Sequence, residues 1–109
     1  MARTRWKEQF GYGSIYSIPE NIQGVYGFWN RKTGRCLYVG KSRHVKNRLR
    51  QHWSDCKNTS LRLWLDGVPK SIEICYWEVA GDKIRVTRVE NRLIRRWRPE
   101  SNIQGNLDN

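Results

Sequence analysis

The sequence lacks any long apolar segment, and this absence excludes whole classes of protein. No window of the 109 residues approaches the roughly 18 consecutive apolar residues of a membrane-spanning helix. The first residues, with Arg3, Arg5 and Lys7 among them, lead into no apolar stretch like that of a secretory signal. We therefore expect a cytoplasmic protein without a membrane partner.

Cysteine is also scarce. The three cysteines are Cys36, Cys56 and Cys75, no two of which form a CxxC pair, and His44 and His52 complete no zinc pattern. The odd count argues against a secreted disulfide scaffold. Thiols stay reduced in the cytosol, so we predict that Cys36 and Cys75 are small core residues.

Acidic residues are outnumbered by basic ones. The chain has 10 Asp and Glu against 21 Lys and Arg, which leaves a net charge of +11 on a length that suits one domain. Such a surplus indicates a polyanionic partner, of which nucleic acid is the first candidate and an anionic membrane surface a distant second. The alternative is that the charge only keeps the protein soluble. The six Trp and a hydrophobic content of 38% exclude a disordered basic tail.

Aromatic and apolar residues cluster in two segments that predict a β-hairpin. Residues 24–29 and 35–39 favour strands, and the polar segment between them, which ends in a glycine, has the composition of a hairpin loop. With the hairpin centred on Lys32, Tyr26 and Tyr38 lie directly opposite each other. Opposed residues point to the same face of a sheet, so both phenols are expected to project from one face.

Three helices and a third strand complete the predicted domain. The helices are expected from the N-cap Ser42 to about residue 53, over 61–66, and over 83–97 with Asp82 as its cap. Alternating apolar residues predict the third strand over 72–79. The expected fold class is α/β in its α+β form: a small three-stranded, mainly antiparallel sheet flanked by helices.

The predicted domain covers residues 24–102 and has an extension at each end. Residues 1–23 form a basic N-terminal arm, and residues 103–109 form a polar tail. The basic and aromatic side chains of the arm suit either stacking on nucleic acid or packing against the back of the domain.

Basic residues of two kinds surround the first predicted helix. On a helical wheel, an apolar stripe runs along Val45, Leu49 and Trp53. One group of polar residues clusters along an edge of that stripe: Lys41, Arg48 and His52. A second group points outward, toward solvent: Arg43, Lys46 and Arg50. The Lys and Arg side chains of both groups are candidates for contacts to nucleic acid.

The last predicted helix carries a single acid among many bases. Arginines occupy one side of its wheel, and the opposite, apolar stripe consists of Val86, Val89, Leu93 and Trp97. Glu90 lies within that stripe, where a charged carboxylate needs a partner. A salt bridge to a neighbouring arginine is one interpretation. The other is a functional acid, either a metal ligand or a catalytic group, because hard divalent cations take carboxylate oxygens.

Two tripeptides carry a resemblance to a known family. Residues 24–26 (Gly-Val-Tyr) and 38–40 (Tyr-Val-Gly) resemble the two signature tripeptides of the GIY-YIG nuclease superfamily, with Val in place of Ile in both. Further residues match the family pattern in order and at compatible spacing: Lys41, Arg48, His52, Glu90 and Asn102. The resemblance extends over residues 24–102, which is most of the chain.

The resemblance implies a metal-dependent DNA endonuclease that hydrolyses phosphodiester bonds. The residues supply the chemistry that this reaction needs. Glu90 would hold one Mg²⁺ or Mn²⁺ ion, and the planar guanidinium of Arg48 would donate hydrogen bonds to a phosphate oxygen. Tyr26 would accept the proton of the attacking water, with Lys41 and the metal supplying the positive charge that makes a phenol a better base.

Supporting roles fall to three further residues of the pattern. Tyr38 and His52 would orient the water or the phosphate, whereas Asn102 either belongs to the site or bonds loop backbone without touching the substrate. The alternative function is an inactive, basic nucleic-acid-binding domain of the same fold. An acid that faces the site argues against it, because a carboxylate repels phosphate.

We expect DNA as the partner and, if the source is a bacterium or a phage, association with the nucleoid. A homing or phage-type nuclease, a restriction enzyme and a structure-specific repair nuclease all fit the pattern. The apolar faces found in the sequence are used by a single core. We therefore expect a monomer in solution that can dimerise on DNA.

Overall fold

A computed structural model describes residues 8–11, 18–67 and 71–102, and every structural statement here concerns those ranges. The strands are β1 (Glu8–Gly11), β2 (Gly24–Asn30), β3 (Arg35–Ser42) and β4 (Ile72–Glu78). The helices are α1 (Val45–Asp55), α2 (Thr59–Gly67) and α3 (Lys83–Trp97). The predicted α+β class, with an antiparallel sheet flanked by helices, is confirmed. The basic segment 1–7, the polar tail 103–109 and the Trp53 side chain lie outside the described part.

The sheet contains the three predicted strands and one more. Its order is β1-β4-β2-β3, and every neighbouring pair is antiparallel. The additional strand β1 comes from the predicted N-terminal arm and pairs with β4, Glu8 lying opposite Tyr76. Four residues are too few to show an alternating pattern, and their partner strand is remote in sequence. This part of the arm therefore packs on the domain, as do the buried side chains of Ile18 and Ile22.

The register of the hairpin differs from the expectation. Tyr26 pairs with Gly40, and Tyr38 pairs with Phe28, so the two tyrosines are not directly opposed. Two shifts of one residue add up: Asn30 pairs with Arg35, so the turn is centred between Lys32 and Thr33, and a bulge near Leu37 adds the second shift, because Trp29 pairs with Cys36 whereas Phe28 pairs with Tyr38. A shift of two residues preserves the face of a side chain. Both phenols therefore still project from one face, as predicted.

The junction between β3 and α1 also corrects the sequence interpretation. The strand continues to Ser42, and α1 begins at Val45 with His44 at its N-cap and no side-chain cap bond. The Ser42 hydroxyl accepts a hydrogen bond from the His44 N–H at 2.9 Å, so it closes the connecting turn and not the helix. Lys41 consequently lies on the strand, and the edge of the α1 stripe retains Arg48 and His52.

Helix α3 begins at Lys83 as predicted, whereas α2 begins at Thr59, two residues before its predicted start. The Asn58 side chain accepts from the Leu61 N–H at 3.0 Å at the start of α2, and the Asp82 side chain accepts from the Arg85 N–H at 3.0 Å at the start of α3. No helix of the described ranges has the length and apolar character needed to cross a membrane.

The sheet separates two apolar cores. Side chains of β2, β3 and β4 pack against α1 and α2 on one face, with Tyr26, Phe28 and Leu49 in this core. Their neighbours along the strands pack against α3 on the other face, with Val25 and Val39 in that core. The expectation for the cysteines holds, since Cys36 and Cys75 are buried in the α3-side core and Cys56 on the α1 side, and none of the three is in a disulfide.

Candidate active site

The candidate residues meet at strand β3, which forms one edge of the sheet. Tyr26 on β2 and Tyr38 on β3 point to the α1 side, with their ring centroids 6.2 Å apart. Lys41, three residues further along β3, reaches the α3 side, where its Nζ lies 3.6 Å from the Glu90 Oε1. The site therefore extends around the free edge of the sheet and draws residues from both faces.

The α1 side of the site is an aromatic cluster around His52. The Tyr26 hydroxyl lies 2.7 Å from the His52 Nε2, and the ring of Tyr38 lies 5.3 Å from the imidazole, centroid to centroid. Burial and the proximity of Arg48 lower the pKa of His52 to about 4, so the imidazole is neutral at pH 7. A neutral imidazole retains one nitrogen lone pair, which is able to accept a proton.

Tyr26 is held deep in this cluster. Burial, and then the neighbouring Tyr38, raise its pKa above the ordinary value, whereas the Arg48 guanidinium acts in the opposite direction. The sequence pointed to Lys41 as the cation that assists Tyr26. In the structure Lys41 forms an ion pair with Glu90. Arg48 is the cation whose charge and hydrogen bond favour the ionised form of the Tyr26 phenol.

Gly40 makes room for the phenol of Tyr26. A Cβ at this position would lie 2.5 Å from both the Cζ and the hydroxyl oxygen of Tyr26, which is far inside van der Waals contact. Gly24 has a comparable backbone role, since a Cβ there would lie 2.2 Å from the Trp77 carbonyl oxygen of β4. In the sequence, Gly40 is recognisable only as the last residue of the second tripeptide. Its packing role depends on the register of the hairpin.

Arg48 lies at the rim of a pocket beside the aromatic cluster. The pocket has a volume of about 300 Å³, and its lining includes Tyr38, Arg48 and His52. The guanidinium is exposed and hydrogen-bonds to the Gln51 side chain at 3.1 Å. A solvent-facing guanidinium next to two phenols is placed to bind a phosphate oxygen that approaches the site.

The α3 side of the site is an ion pair. The Glu90 side chain is only 16% exposed, and its partner is Lys41 of β3, not one of the arginines of its own helix. Lys41 also donates to the Thr87 hydroxyl at 2.9 Å, which fixes its ammonium group between the two α3 residues. Burial raises the pKa of Glu90, and the Lys41 charge lowers it. Thr87 was not singled out by the sequence analysis, and no local pattern distinguishes it.

Glu90 suits a hard divalent cation that keeps most of its water ligands. Among the described residues, no three His, Cys, Asp or Glu side chains lie close enough together to form an all-protein metal cage. Mg²⁺ dehydrates reluctantly and is commonly held by one or two carboxylates plus substrate phosphate oxygens. A single, half-enclosed carboxylate at the open edge of the sheet fits that mode of binding.

Asn102 acts on the backbone of β3. Its side chain is buried and forms two hydrogen bonds to one residue, accepting from the Val39 N–H and donating to the Val39 carbonyl at 2.8 Å. Asn102 thus occupies the place of a further strand beside the sheet edge. These contacts agree with the backbone-bonding alternative, and they hold the segment between Tyr38 and Gly40 in place.

The outer bases of α1 do not all behave as expected. Arg43 is exposed. The prediction that Lys46 lies on a solvated face is wrong, because its side chain is 10% exposed and its Nζ lies 3.4 Å from the Glu20 Oε1. Arg50 is half-exposed and lies 3.6 Å from the same carboxylate. Glu20 precedes the domain in the sequence, and only the tertiary structure brings it to α1.

Comparisons with known proteins identify the family and the fold of the chain. Residues 22–104 match the family model of the GIY-YIG catalytic domain. The UvrABC system protein C of Clostridium acetobutylicum is 34% identical over 89 residues, which cover 82% of this chain and 14% of that protein. The corresponding protein of Clostridium beijerinckii is 30% identical over 94 residues, 86% of this chain and 15% of the relative. The chain thus spans only a small part of the length of these relatives.

A solved structure shares the fold. The GIY-YIG N-terminal endonuclease domain of UvrC from Thermotoga maritima, in a crystal structure with its catalytic divalent cation, magnesium, matches with a TM-score of 0.63 and 24% identity. The match covers 82% of this chain and 96% of that domain. Since the family model covers most of the sequence and includes every residue of the site described above, the chain belongs to the GIY-YIG catalytic domain family.

Proposed function

We propose that the protein is a metal-dependent DNA endonuclease that hydrolyses phosphodiester bonds. The observation that carries the proposal is the meeting of two different groups of residues at the open edge of β3. A neutral Tyr–His pair beside an arginine lies on one side, and a half-buried carboxylate held by Lys41 lies on the other. Phosphodiester hydrolysis needs proton removal from water and charge stabilisation at the phosphate, and this arrangement provides for both.

The Tyr26–His52 pair is suited to remove the proton of the attacking water. The phenol oxygen would accept that proton while its own proton passes to the Nε2 of His52, 2.7 Å away. The negative charge of a bound phosphodiester would raise the pKa of His52 and make the imidazole a better acceptor. The water oxygen would then form a bond to phosphorus, and the leaving oxygen would depart with the electron pair of the broken P–O bond.

Arg48 and Tyr38 would stabilise and orient the phosphate. The Arg48 guanidinium would donate to a non-bridging oxygen of the phosphate, and this hydrogen bond would strengthen as negative charge develops in the transition state. Tyr38, at the mouth of the same pocket, would donate its hydroxyl proton to the water or to the phosphate. Both groups act on the α1 side, where the proton is removed.

Glu90 would hold one Mg²⁺ or Mn²⁺ ion, which when bound would supply positive charge to the phosphate and to the leaving oxygen. Lys41 has a separate role. Its ammonium group, fixed by Thr87 and Glu90, keeps the carboxylate ionised in a half-buried place. Without that charge, burial would raise the pKa of Glu90 further above its ordinary value, and a protonated acid binds a cation poorly.

DNA as the substrate is supported by the charge distribution. The net charge is +11, and exposed bases lie on both helices that border the site, among them Arg43 before α1 and Arg88 and Arg92 on α3. If about 5 to 8 phosphates are neutralised on binding, the logarithm of affinity should fall with a slope of about −4 to −7 against the logarithm of salt concentration. A flat response would contradict backbone binding.

Incubation with supercoiled plasmid, with Mg²⁺ or with EDTA, tests the proposal. We expect nicked circles first and linear DNA later, only with the metal, because a chain with one site cuts one strand per encounter. Cleavage in EDTA would overturn the metal requirement. Concerted linearisation by a stable dimer, seen in sedimentation of the free protein, would overturn the expectation of a monomer. DNA binding without cleavage under any divalent cation would favour the inactive binding domain.

A further inference from the structure

The hydrogen bonds of the site continue beyond the Tyr–His pair to a buried thiol. The other ring nitrogen of His52, Nδ1, lies 3.5 Å from the Sγ of Cys56, and this Sγ lies 3.5 Å from the Asn58 carbonyl oxygen. Cys56 immediately follows α1, one turn after His52. A continuous chain of four groups thus runs from the phenol of Tyr26 through imidazole and thiol to the backbone between α1 and α2.

The Asn58 carbonyl oxygen, at the end of this series of hydrogen bonds, determines which group donates in each bond. The Asn58 carbonyl oxygen only accepts: one lone pair takes the Arg62 N–H at 2.9 Å, and the other takes the single proton of the Cys56 thiol. Burial raises the pKa of Cys56, so the group remains a thiol at neutral pH. The sulfur has no second proton to offer, and toward His52 it is an acceptor. The hydrogen of the imidazole is therefore on Nδ1, which leaves the Nε2 lone pair facing the Tyr26 hydroxyl.

We propose that Cys56 is a positioning residue that holds His52 as the Nδ1–H tautomer and thereby directs the Tyr26 proton toward the imidazole. The inference rests on the proposed function. With the opposite tautomer, Nε2–H would donate to the phenol oxygen and occupy a lone pair that the oxygen needs for the proton of water. The thiol is 6% exposed, so it acts through the imidazole and not on a substrate.

The tautomer is observable directly by ¹⁵N NMR of the His52 side chain, through the shifts and long-range couplings of the two ring nitrogens at pH 7.5. The wild-type protein should show a protonated Nδ1 and an unprotonated Nε2. Cys56→Ser retains a donor and an acceptor and should keep this tautomer. Cys56→Ala removes the acceptor, and the signals should move toward the Nε2–H form.

Kinetics with Mg²⁺ provide the second measurement. Cys56→Ala should lower kcat about tenfold, as loss of the hydrogen-bond partner of other functional histidines does, with little change in KM. Cys56→Ser should restore most of kcat. The matched control is Cys75→Ala, which removes an equally buried thiol on the α3 side of the sheet and should leave both the tautomer and kcat unchanged.

The results separate this inference from the proposed function. A wild-type His52 protonated on Nε2, or a Cys56→Ala variant that keeps both the tautomer and kcat, would overturn the positioning role. Equal losses in Cys56→Ala and Cys75→Ala would also overturn it, because they would indicate a general packing effect. A protein with the expected tautomer that cuts no DNA would confirm the hydrogen-bond chain and overturn the endonuclease proposal.

Discussion

The two sides of β3 contribute to one site through different chemistry. On the α1 side, the buried Tyr26 and the half-buried Tyr38 and His52 form an uncharged hydrogen-bonded cluster in which burial is the first cause of the pKa shifts. On the α3 side, Lys41 and Glu90 form an ion pair that retains partial access to solvent. Proton transfer benefits from groups that are neutral and close together, whereas cation binding needs a charge kept in place. Because the site lies at the edge of the sheet, a neutral cluster on one face and an ion pair on the other can act on the same substrate.

Replacing the α3-side carboxylate should have the largest effect. Glu90→Gln removes the metal ligand but retains the shape, so we expect cleavage to fall by more than about a hundredfold. DNA binding in EDTA should stay the same or rise slightly, because one negative charge near the phosphate is lost. Plasmid cleavage and fluorescence anisotropy measure the two quantities. Glu100→Gln, which affects only a surface pair with Arg35, is the control. Full activity of Glu90→Gln would refute the metal site.

Two arginines of α1 test whether position matters more than charge. Arg48→Ala removes the guanidinium at the rim of the aromatic pocket and should lower kcat by about 10² to 10³ with a small change in affinity. Arg50→Ala removes the same charge from the outer face, beside Glu20, and should cost only part of the affinity. Single-turnover cleavage and binding titrations separate these effects. Similar behaviour of the two variants would show that the α1 side contributes only general positive charge.

A methyl group at Gly40 tests the packing of the aromatic cluster. Gly40→Ala places a Cβ within 2.5 Å of the Tyr26 ring, so the phenol must move away from His52. We expect a loss of about 1–3 kcal/mol in the free energy of unfolding, together with reduced cleavage. Gly67→Ala is the matched control, since no atom lies within 4 Å of its added Cβ. Urea denaturation that gives equal stabilities for the two variants would contradict the predicted overlap.

The half-buried, neutral His52 should produce a smaller, pH-dependent effect on stability. The pKa of His52 is 6.5 in its ordinary state and about 4 in the folded protein. The unfolded chain therefore binds a proton that the native state excludes, and the stability from this residue, complete above pH 6.5, is lost as the pH falls toward 4. Relative to His52→Gln, the wild type should lose roughly 2 kcal/mol more between pH 7 and pH 5. Urea titrations whose pH profiles run parallel would contradict a neutral His52.

Much of the fold was predictable because its signals are local. Helix α3 begins at Asp82 and α2 follows the Asn58 cap, since each cap bond joins residues three positions apart. Strand β1 was not predictable, because four residues carry no period and depend on a partner strand far along the chain. The end of β3 was placed too early, since Lys41 and Ser42 have no strand-forming pattern and are extended through their pairing with β2.

The sequence by itself determined most of the candidate groups, because the two tripeptides, the bases after them, and an acid on an apolar stripe define an ordered pattern along the chain. Thr87 and Cys56 carry no such signal. The tertiary structure alone decided which groups touch. Lys41 pairs with Glu90, Lys46 with Glu20, and Cys56 with His52. Lys41 and Glu90 show the reason: they belong to a strand and a helix that are far apart in the sequence, and no local pattern of residues predicts a contact over that distance. Side-chain direction at a sheet edge depends on register, and the position of the turn together with one bulge moved the register of the hairpin by two residues from the expected one.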